Sequence, residues 1–597
     1  MIKILKHFKP GDWLVVLFSV VLLAVQTWLD LKLPDYMTDI TKYVQTPGSQ
    51  MSDIWAAGGK MILCTLGSVA LSLIVGFFAA RVAAGFSQRI RAKLFHRVED
   101  FSMEEINGFS TASLITRSTN DITQLQVFIA MGMQVIIKAP ILAVWAVAKI
   151  SLKSWEWTAL TGGAVVVLIV MIALIMAYAL PRFKKIQWLT DNLNRVTREN
   201  LTGIRVVRAY NAEKYEEAKF EVANTDITTN NLQVMRAMSI FNPGMRLILS
   251  GLTLGIYWIG AFLIENATGT DLMNIITNKV NIFADMIAFS MYAMMVIMAF
   301  MMLTMIFIML PRVSVSAKRI NEVLDTAPKI LDGTRTASPE GISGEVEFIN
   351  VSFKYPDAED YVLHDISFKA RRGETVAFIG STGSGKSTLI NLVPRFYDVT
   401  DGQVLVDGVD VREYTQEALH NKLGYVPQRA VLFTGTVATN VDYGENGKER
   451  GTDDETAEDI RRAVAIAQGA EFVDNMEGTY DAHIAQGGTN VSGGQKQRLA
   501  IARAVFRKPE IYIFDDSFSA LDYKTDRVLR SALRKETAGV TSLVVAQRIG
   551  TIRDADRIIV LEDGGMVGMG THDELMKSCE VYQQIAYSQL SKEELGA

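Results

Sequence analysis

Gly380-Ser381-Thr382-Gly383-Ser384-Gly385-Lys386-Ser387 follows directly on the apolar run Thr375 to Ile379 and opens into helix-forming sequence near Thr388. Strand, glycine-rich loop and helix in this order form a phosphate-binding loop, matched in context as well as in string. The glycines let successive backbone N–H groups turn inward around phosphate oxygens, and the helix N-terminus adds positive dipole. Lys386 reaches the outer phosphates, and the Ser387 hydroxyl is placed to ligate Mg²⁺. A chance match in a glycine-rich loop is the competing reading, and the flanking strand and helix weigh against it.

Working outward, the apolar strand Ile511-Tyr512-Ile513-Phe514 ends in Asp515 and Asp516. An apolar strand that delivers a carboxylate beside bound phosphates is the Walker B arrangement, with Asp515 serving the metal. Between the two motifs, Val491-Ser492-Gly493-Gly494-Gln495-Lys496-Gln497-Arg498 opens the helical run Lys496 to Val505 and again offers backbone N–H groups to an anion. Further short apolar strands, Gly424 to Val426 and Ser542 to Ala546, alternate with helical stretches from Glu345 onward. That alternation predicts an α/β domain over residues 345–597.

The first half of the chain has a different character. Of 597 residues, 49% are hydrophobic and 21% charged, and the apolar residues gather in blocks that reach the roughly 20 residues a membrane helix needs. Six such runs stand out: Leu14 to Leu33, Ile54 to Ala84, Val127 to Ile150, Trp157 to Leu180, Met238 to Ile264 and Val280 to Leu310. The connections 84–126 and 181–236 are polar, sparse in Gly and Pro, and read as helices that continue past the membrane. Basic residues follow the second, fourth and sixth runs, for example Arg89, Arg91, Arg97, Arg182, Lys185, Arg312 and Arg319, which places those ends and both termini in the cytoplasm. Pro328, Gly333, Pro339 and Gly341 mark residues 326–344 as a linker between a transmembrane domain, 1–325, and the α/β domain. A net charge of −5 leaves no global basic surface and excludes nucleic acid as the expected partner. Two cysteines, Cys64 and Cys579, give no disulfide framework.

With these motifs in this order, the chain resembles an ATP-binding cassette (ABC) exporter half-transporter over nearly its whole length. The resemblance adds Tyr355 at the adenine-stacking position and Gln428 as the Q-loop residue. It makes Ser492, Gly493, Gly494 and Gln495 the signature motif, and Ser519-Ala520-Leu521-Asp522 the D-loop. It implies a six-helix membrane domain that swaps helices with a partner, followed by ATPase domains that dimerise head to tail. Two ATP molecules are then sandwiched between the phosphate loop of one chain (here Gly380 to Thr388) and the signature of the other. The implied Mg²⁺ is served by Ser387, Gln428 and Asp515. Coupling helices are implied near 105–110 and near 200–206, the second docking on the partner.

Departures from the family pattern are as informative as the matches. Asp516 stands where the family carries its catalytic glutamate, Gln547 where it carries the switch histidine, and Gln486 where glutamate is usual before the signature. Aspartate is one methylene short, a reach deficit of about 1 to 1.5 Å, and misplacement on that scale costs about a hundredfold in rate. Glutamine donates a hydrogen bond but relays no proton. These changes resemble the degenerate-site subunit of heterodimeric bacterial exporters; the competing reading is a working homodimer that tolerates both. The implied setting is a multi-pass protein of a bacterial inner or cytoplasmic membrane that exports amphipathic compounds. Peptide, lipid or siderophore cargo, and a regulatory ATP-binding subunit, stand as alternatives. Methionines crowd the sixth run, among them Met286, Met294, Met298, Met301 and Met305. They read equally as an adaptable binding face and as ordinary packing. Asp30, Lys60, Lys138, Arg246 and Asp285 lie at apparent membrane depth, and Asp30 and Asp285 are candidates for an external gate, for attracting cationic cargo, or for simple interfacial placement.

Overall fold

The computed structural model describes residues 2–589 apart from 47, 152–153, 270, 357 and 445–453. Two compact units emerge. One holds the chain up to Glu99 together with Thr111–Thr326; the other holds Asp100–Ser110 together with the chain from Ala327 onward.

In the first unit, six helical segments among the described residues are long and apolar enough to cross a bilayer: Pro10–Gln45, Met51–Glu99, Thr111–Ser151, Trp155–Thr202, Glu213–Glu265 and Leu272–Ile306. The last of these continues to Asp325. Several overrun their apolar runs, as the polar connections predict: Met51–Glu99 and Trp155–Thr202 each extend well past the apolar stretch without a break. The first helix also outruns its expected end at Leu33. It passes through Pro34 and carries Asp35 and Asp39 to Gln45, because Asp35 is held from two other helices, by Lys149 at 2.7 Å and by the Tyr292 hydroxyl at 2.6 Å. The packed interior includes Trp157, Phe289 and Tyr292. Trp157 satisfies its indole N–H on the Ile256 carbonyl at 3.1 Å and sets its ring 5.2 Å from that of Phe289.

Two of the charges at apparent membrane depth, Asp30 and Lys138, neutralise each other within this unit. Lys138 lies 3.0 Å from Asp30, and the Ser68 hydroxyl donates to the same carboxylate. Of the three roles open to Asp30, attraction of cationic cargo is the one this weakens, since its charge is already met by Lys138. The methionines of the sixth helix divide, with Met286 in the packed interior and Met294, Met298 and Met305 exposed.

The second unit is built on a six-stranded sheet in the spatial order Gly565–Gly570, Arg557–Glu562, Thr375–Gly380, Thr541–Val545, Ile511–Asp515, Leu423–Val426. Every pairing is parallel except the first. The strands Ile511–Asp515 and Thr541–Val545 are buried at every position, which is why they read as continuous apolar runs and not as alternating ones. A four-stranded antiparallel sheet, Leu363–Ala370, Val346–Phe353, Asp401–Val406 and Val409–Asp410, packs its apolar side into the same core.

Residues 327–344 hold no helix or strand, yet they are fastened to this unit. The Gly333 N–H donates to the Tyr414 carbonyl at 2.9 Å, and the Ser338 hydroxyl donates to Asp407 at 2.7 Å. Gly333 is required here, since a Cβ would fall 2.0 Å from the Glu413 carbonyl oxygen. The stretch 100–110, which lies far earlier in sequence, also belongs to this unit. Its short helix Met103–Gly108 is capped by Ser102, whose N–H and hydroxyl both donate to Glu105. It is held further by the Lys329 N–H on Glu105, by Lys329 on Glu104, and by the Asn107 amide on the Tyr397 hydroxyl at 3.0 Å.

Candidate nucleotide site

In a parallel sheet the carboxyl ends of the strands present their loops on one edge, which is where ligands of such folds bind. Here that edge gathers the loop after Gly380, Asp516 after Asp515, Gln547 shortly after Val545, and Gln428 shortly after Val426. Register makes them neighbours: Val545 pairs with Asp515 and with Phe378, and Phe514 pairs with Val426.

The loop takes the shape its glycines allow. Gly383 and Gly385 have φ of +88° and +89°, and a Cβ on Gly380 would fall 2.1 Å from the Leu561 carbonyl oxygen. The helix begins at Lys386, two residues before the sequence places it, and runs to Asn391. Lys386 folds back over the loop, its ammonium donating to the carbonyls of Gly380 and Ser381 at 3.0 and 2.6 Å and to the Ser384 hydroxyl at 3.2 Å. Burial draws the Lys386 pKa below the ordinary lysine value, against the opposing pull of Asp516 and Asp515. Thr388 shares a hydrogen bond of 3.0 Å with the Tyr355 hydroxyl, and the Tyr355 ring stands edge-on to Phe353 and Tyr397 at 5.0 and 5.3 Å.

The Ser387 hydroxyl donates to Asp515 at 2.7 Å. Burial pushes the Asp515 pKa up; the Ser387 bond and Lys386 oppose this, while neighbouring Asp516 adds to it. Two hard oxygen donors beside a phosphate cradle fit Mg²⁺, which keeps water and phosphate oxygens for its remaining positions. Among the described residues no group of three His, Cys, Asp or Glu forms an all-protein metal cage. Gln428, expected to join the metal set, instead directs its amide nitrogen to Asp516 at 3.3 Å.

Asp516 is buried and takes a φ of +45°, a region aspartate tolerates better than most side chains. One of its carboxylate oxygens accepts from both Gln547, at 2.8 Å, and Gln428, at 3.3 Å. Burial raises its pKa, opposed first by the Gln428 bond. The Ser519 hydroxyl closes on the Asp516 carbonyl at 2.9 Å, a contact that links the base position to the D-loop and that no string motif announced.

A second set of predicted residues forms its own local structure. Ser492 caps the helix Gly493–Phe506: its hydroxyl accepts from the Gln495 N–H at 3.3 Å while the Ser492 N–H donates to the Gln495 side chain at 2.8 Å. A Cβ on Gly494 would come within 3.4 Å of the Ala520 carbonyl oxygen, so signature and D-loop touch through a glycine. Asp522 caps the next helix, Tyr523–Glu536, by accepting from the Thr525 N–H at 2.9 Å, and that bond holds its pKa below the ordinary aspartate value. Gln486 is exposed in a turn beside Gly487, whose φ is +67°.

Residues 16–270 match the ABC transporter transmembrane region and residues 363–519 match the ABC transporter family. An uncharacterised ABC transporter ATP-binding protein of Mycobacterium tuberculosis is 38% identical over 98% of this chain and 97% of its own length. The chain belongs to the ABC transporter family. Another relative, the ATP-dependent lipid A-core flippase of Pseudomonas putida, is 32% identical over 86% of this chain and 82% of its own length. A bacterial Atm1-family ABC exporter solved with ATP bound superposes with a TM-score of 0.76 over 97% of this chain and 100% of that one, at 23% identity, and so shares the fold. This ABC transporter therefore joins a multi-pass, six-helix exporter-type membrane domain to an ATP-binding domain that drives transport.

Proposed function

We propose that this chain is one half of a heterodimeric ABC exporter of amphipathic compounds in a bacterial inner membrane, and that the ATP site on its own Walker motifs is degenerate. The observation that carries this reading is the state of Asp516. A short carboxylate stands at the base position with one oxygen engaged by two glutamine amides. A general base must take a proton from the attacking water, and neither Gln547 nor Gln428 can accept it onward. The phosphate loop and signature keep their shape, so binding and support of the partner remain while hydrolysis at this site is slow.

At the competent site the partner's base deprotonates the attacking water, which adds to the γ-phosphorus as the bond to the β-phosphate oxygen breaks. Mg²⁺, which Ser387 and Asp515 would hold at this chain's own site, would neutralise charge on the phosphate oxygens. This chain contributes Ser492, Gly493, Gly494 and Gln495, whose helix N-terminus faces the γ-phosphate, and Asp522 at the D-loop for communication between sites. At its own site Lys386, Ser387 and Asp515 hold MgATP, with Tyr355 against the adenine. The helix Ile204–Ala209, which has no buried residue and is flanked by exposed Leu201 and Tyr210, is the second coupling helix and docks on the partner. The exposed methionines Met294, Met298 and Met305 support an adaptable apolar cargo surface.

Export of a lipid is the second reading, favoured by the flippase relatives. The heterodimer is tested by ATP hydrolysis of this chain purified alone in lipid, compared with the chain co-expressed with the product of the neighbouring gene. Activity that appears with the partner and disappears when the partner's Walker B glutamate becomes glutamine is the expected result. Robust hydrolysis by this chain alone overturns the reading in favour of a homodimer.

A further inference from the structure

The chain passes between its two units at three points: after Glu99, after Ser110 and after Thr326. The last two passages are stapled to each other in both units. In the second unit, Lys329 holds Glu104 and Glu105, so the chain that has just entered is tied to the short helix about to leave. In the first unit, the corresponding contacts centre on a single π-helical turn, Arg117–Asp121, that interrupts the helix running up from Thr111. Isolated π-turns are rare and concentrate at functional positions.

The residues at the two ends of this turn, Arg117 and Asp121, are both buried. The Arg117 guanidinium donates to the Arg319 carbonyl at 2.6 Å and to Glu322 at 2.9 Å. Asp121 accepts from the Ser316 hydroxyl at 2.8 Å and pairs with Arg319 at 3.2 Å. Glu322 lies four positions, about one helical turn, before Thr326, where the chain leaves the unit, and Lys3 of the N-terminal helix adds an exposed pair to Asp325. Buried charges with reciprocal partners are strongly directional, and losing one member strands the others. Nη1 of Arg117 holds the carbonyl and the carboxylate at once while Nε of the same planar group donates to the Ser113 hydroxyl at 3.1 Å, an arrangement spread over two guanidinium nitrogens that a single lysine ammonium does not reproduce.

We propose that Arg117, Asp121, Ser316, Arg319 and Glu322 form an ionic lock that makes the chain leaving the first coupling segment and the chain entering the ATPase domain move as one body during the ATP cycle. These are positioning residues: they touch neither nucleotide nor cargo, and they act by keeping the two connections in fixed register. The lock operates whether the transporter is a heterodimer or a homodimer, so its test is independent of that question.

Spin labels at Ile115 and Val315, both exposed, report the separation across the lock in the full-length transporter reconstituted in lipid, with and without saturating MgATP. In the otherwise unsubstituted protein the distance distribution is expected to be narrow and the same in both states. In Arg117→Met it is expected to broaden and to become nucleotide-dependent. Arg117→Lys should be intermediate, and Asp121→Asn, which can still accept from Ser316, should change least. Binding of a fluorescent ATP analogue by the same samples is expected to stay within about twofold of the parent, since the phosphate loop is intact and a twofold change is well under 1 kcal/mol. A distribution that shifts with nucleotide in the unsubstituted protein overturns the proposal. So does an unchanged distribution in an Arg117→Met/Asp121→Asn double variant that still binds nucleotide.

Discussion

The charges inside the membrane unit and those at the nucleotide site are arranged in opposite ways, although elsewhere the ATPase unit also pairs its buried charges, as Asp407 does with Lys422 at 2.9 Å. In the membrane unit Asp30 meets Lys138, Asp35 meets Lys149, and Arg117 meets Glu322, each carboxylate answered by a cation of the same unit. In the ATPase unit Asp515 and Asp516 lie side by side, both with pKa values raised by burial, while Lys386 spends its ammonium on carbonyls and a hydroxyl of its own loop. The first arrangement is complete and holds helices together. The second leaves adjacent carboxylates and a lysine arranged around a phosphate loop, a distribution that becomes balanced when a metal and a phosphate arrive. Reciprocal pairing thus marks structure, and adjacent like charge beside a glycine loop marks a ligand site.

The sharpest way to break this contrast is at Asp30. Asp30→Leu strands Lys138 and is expected to destabilise the transporter by about 3 kcal/mol, whereas the double variant Asp30→Leu/Lys138→Leu returns close to the parent, because removing a whole buried pair is near neutral. Thermal unfolding in a fixed detergent measures both, and equal losses in single and double variants would show that the pair is not what matters. On the ATPase side, Asp516→Glu with Gln547→His supplies the missing methylene and a proton relay. Under the proposed function, hydrolysis at this chain's own site, with the partner's site silenced, is expected to rise about a hundredfold. A rate that stays flat would place the limitation elsewhere, for instance in the φ of +45° that the longer side chain must also adopt.

These tests also bear on what could be read without a structure. The ATPase motifs were legible because each depends on local strings: a glycine loop after an apolar strand, or a serine and glutamine three positions apart that cap a helix, as Ser492 and Gln495 do. Strand burial was legible for the same reason. The partners of Asp30 and Arg117 were not, since they come from helices 108 and 205 residues away, and helical periodicity says which residues share a face but not which faces meet. Nor did any pattern reveal that Gln428 and Gln547 converge on one oxygen of Asp516; that depends on the order of strands in the sheet.

Smaller effects refine the comparison. Ser492→Ala removes a reciprocal cap and is expected to cost about 1 kcal/mol, read as a modest fall in melting temperature. Under the proposed function it also lowers hydrolysis by the assembled transporter. The raised pKa values of Asp515 and Asp516 set a pH dependence of definite sign. Mg²⁺ requires the ionised carboxylate, so MgATP binding should weaken on acidification beginning above the ordinary aspartate pKa of about 4. Without nucleotide the stability contribution runs the other way. The folded protein holds these protons more tightly than the unfolded chain, so the burial penalty present at neutral pH is relieved as pH falls through the folded pKa values. Binding titrations and melting curves across one pH series separate the two trends.

The eleven residues 100–110 have a consequence for how the protein is made. Asn107 finds its hydroxyl partner on Tyr397, 290 positions later. At a ribosomal rate of about 5 to 20 residues per second, that partner emerges roughly 15 to 60 s afterwards. During this interval the membrane unit is already entering the bilayer, while the segment that carries the stacked rings of Phe101 and Phe109 waits for its partner. Completion of the ATPase fold therefore depends on a segment synthesised long before it. A fragment expressed from Ala327 onward lacks that segment, and supplying 100–110 as a separate peptide is the direct way to learn how much of the fold it completes.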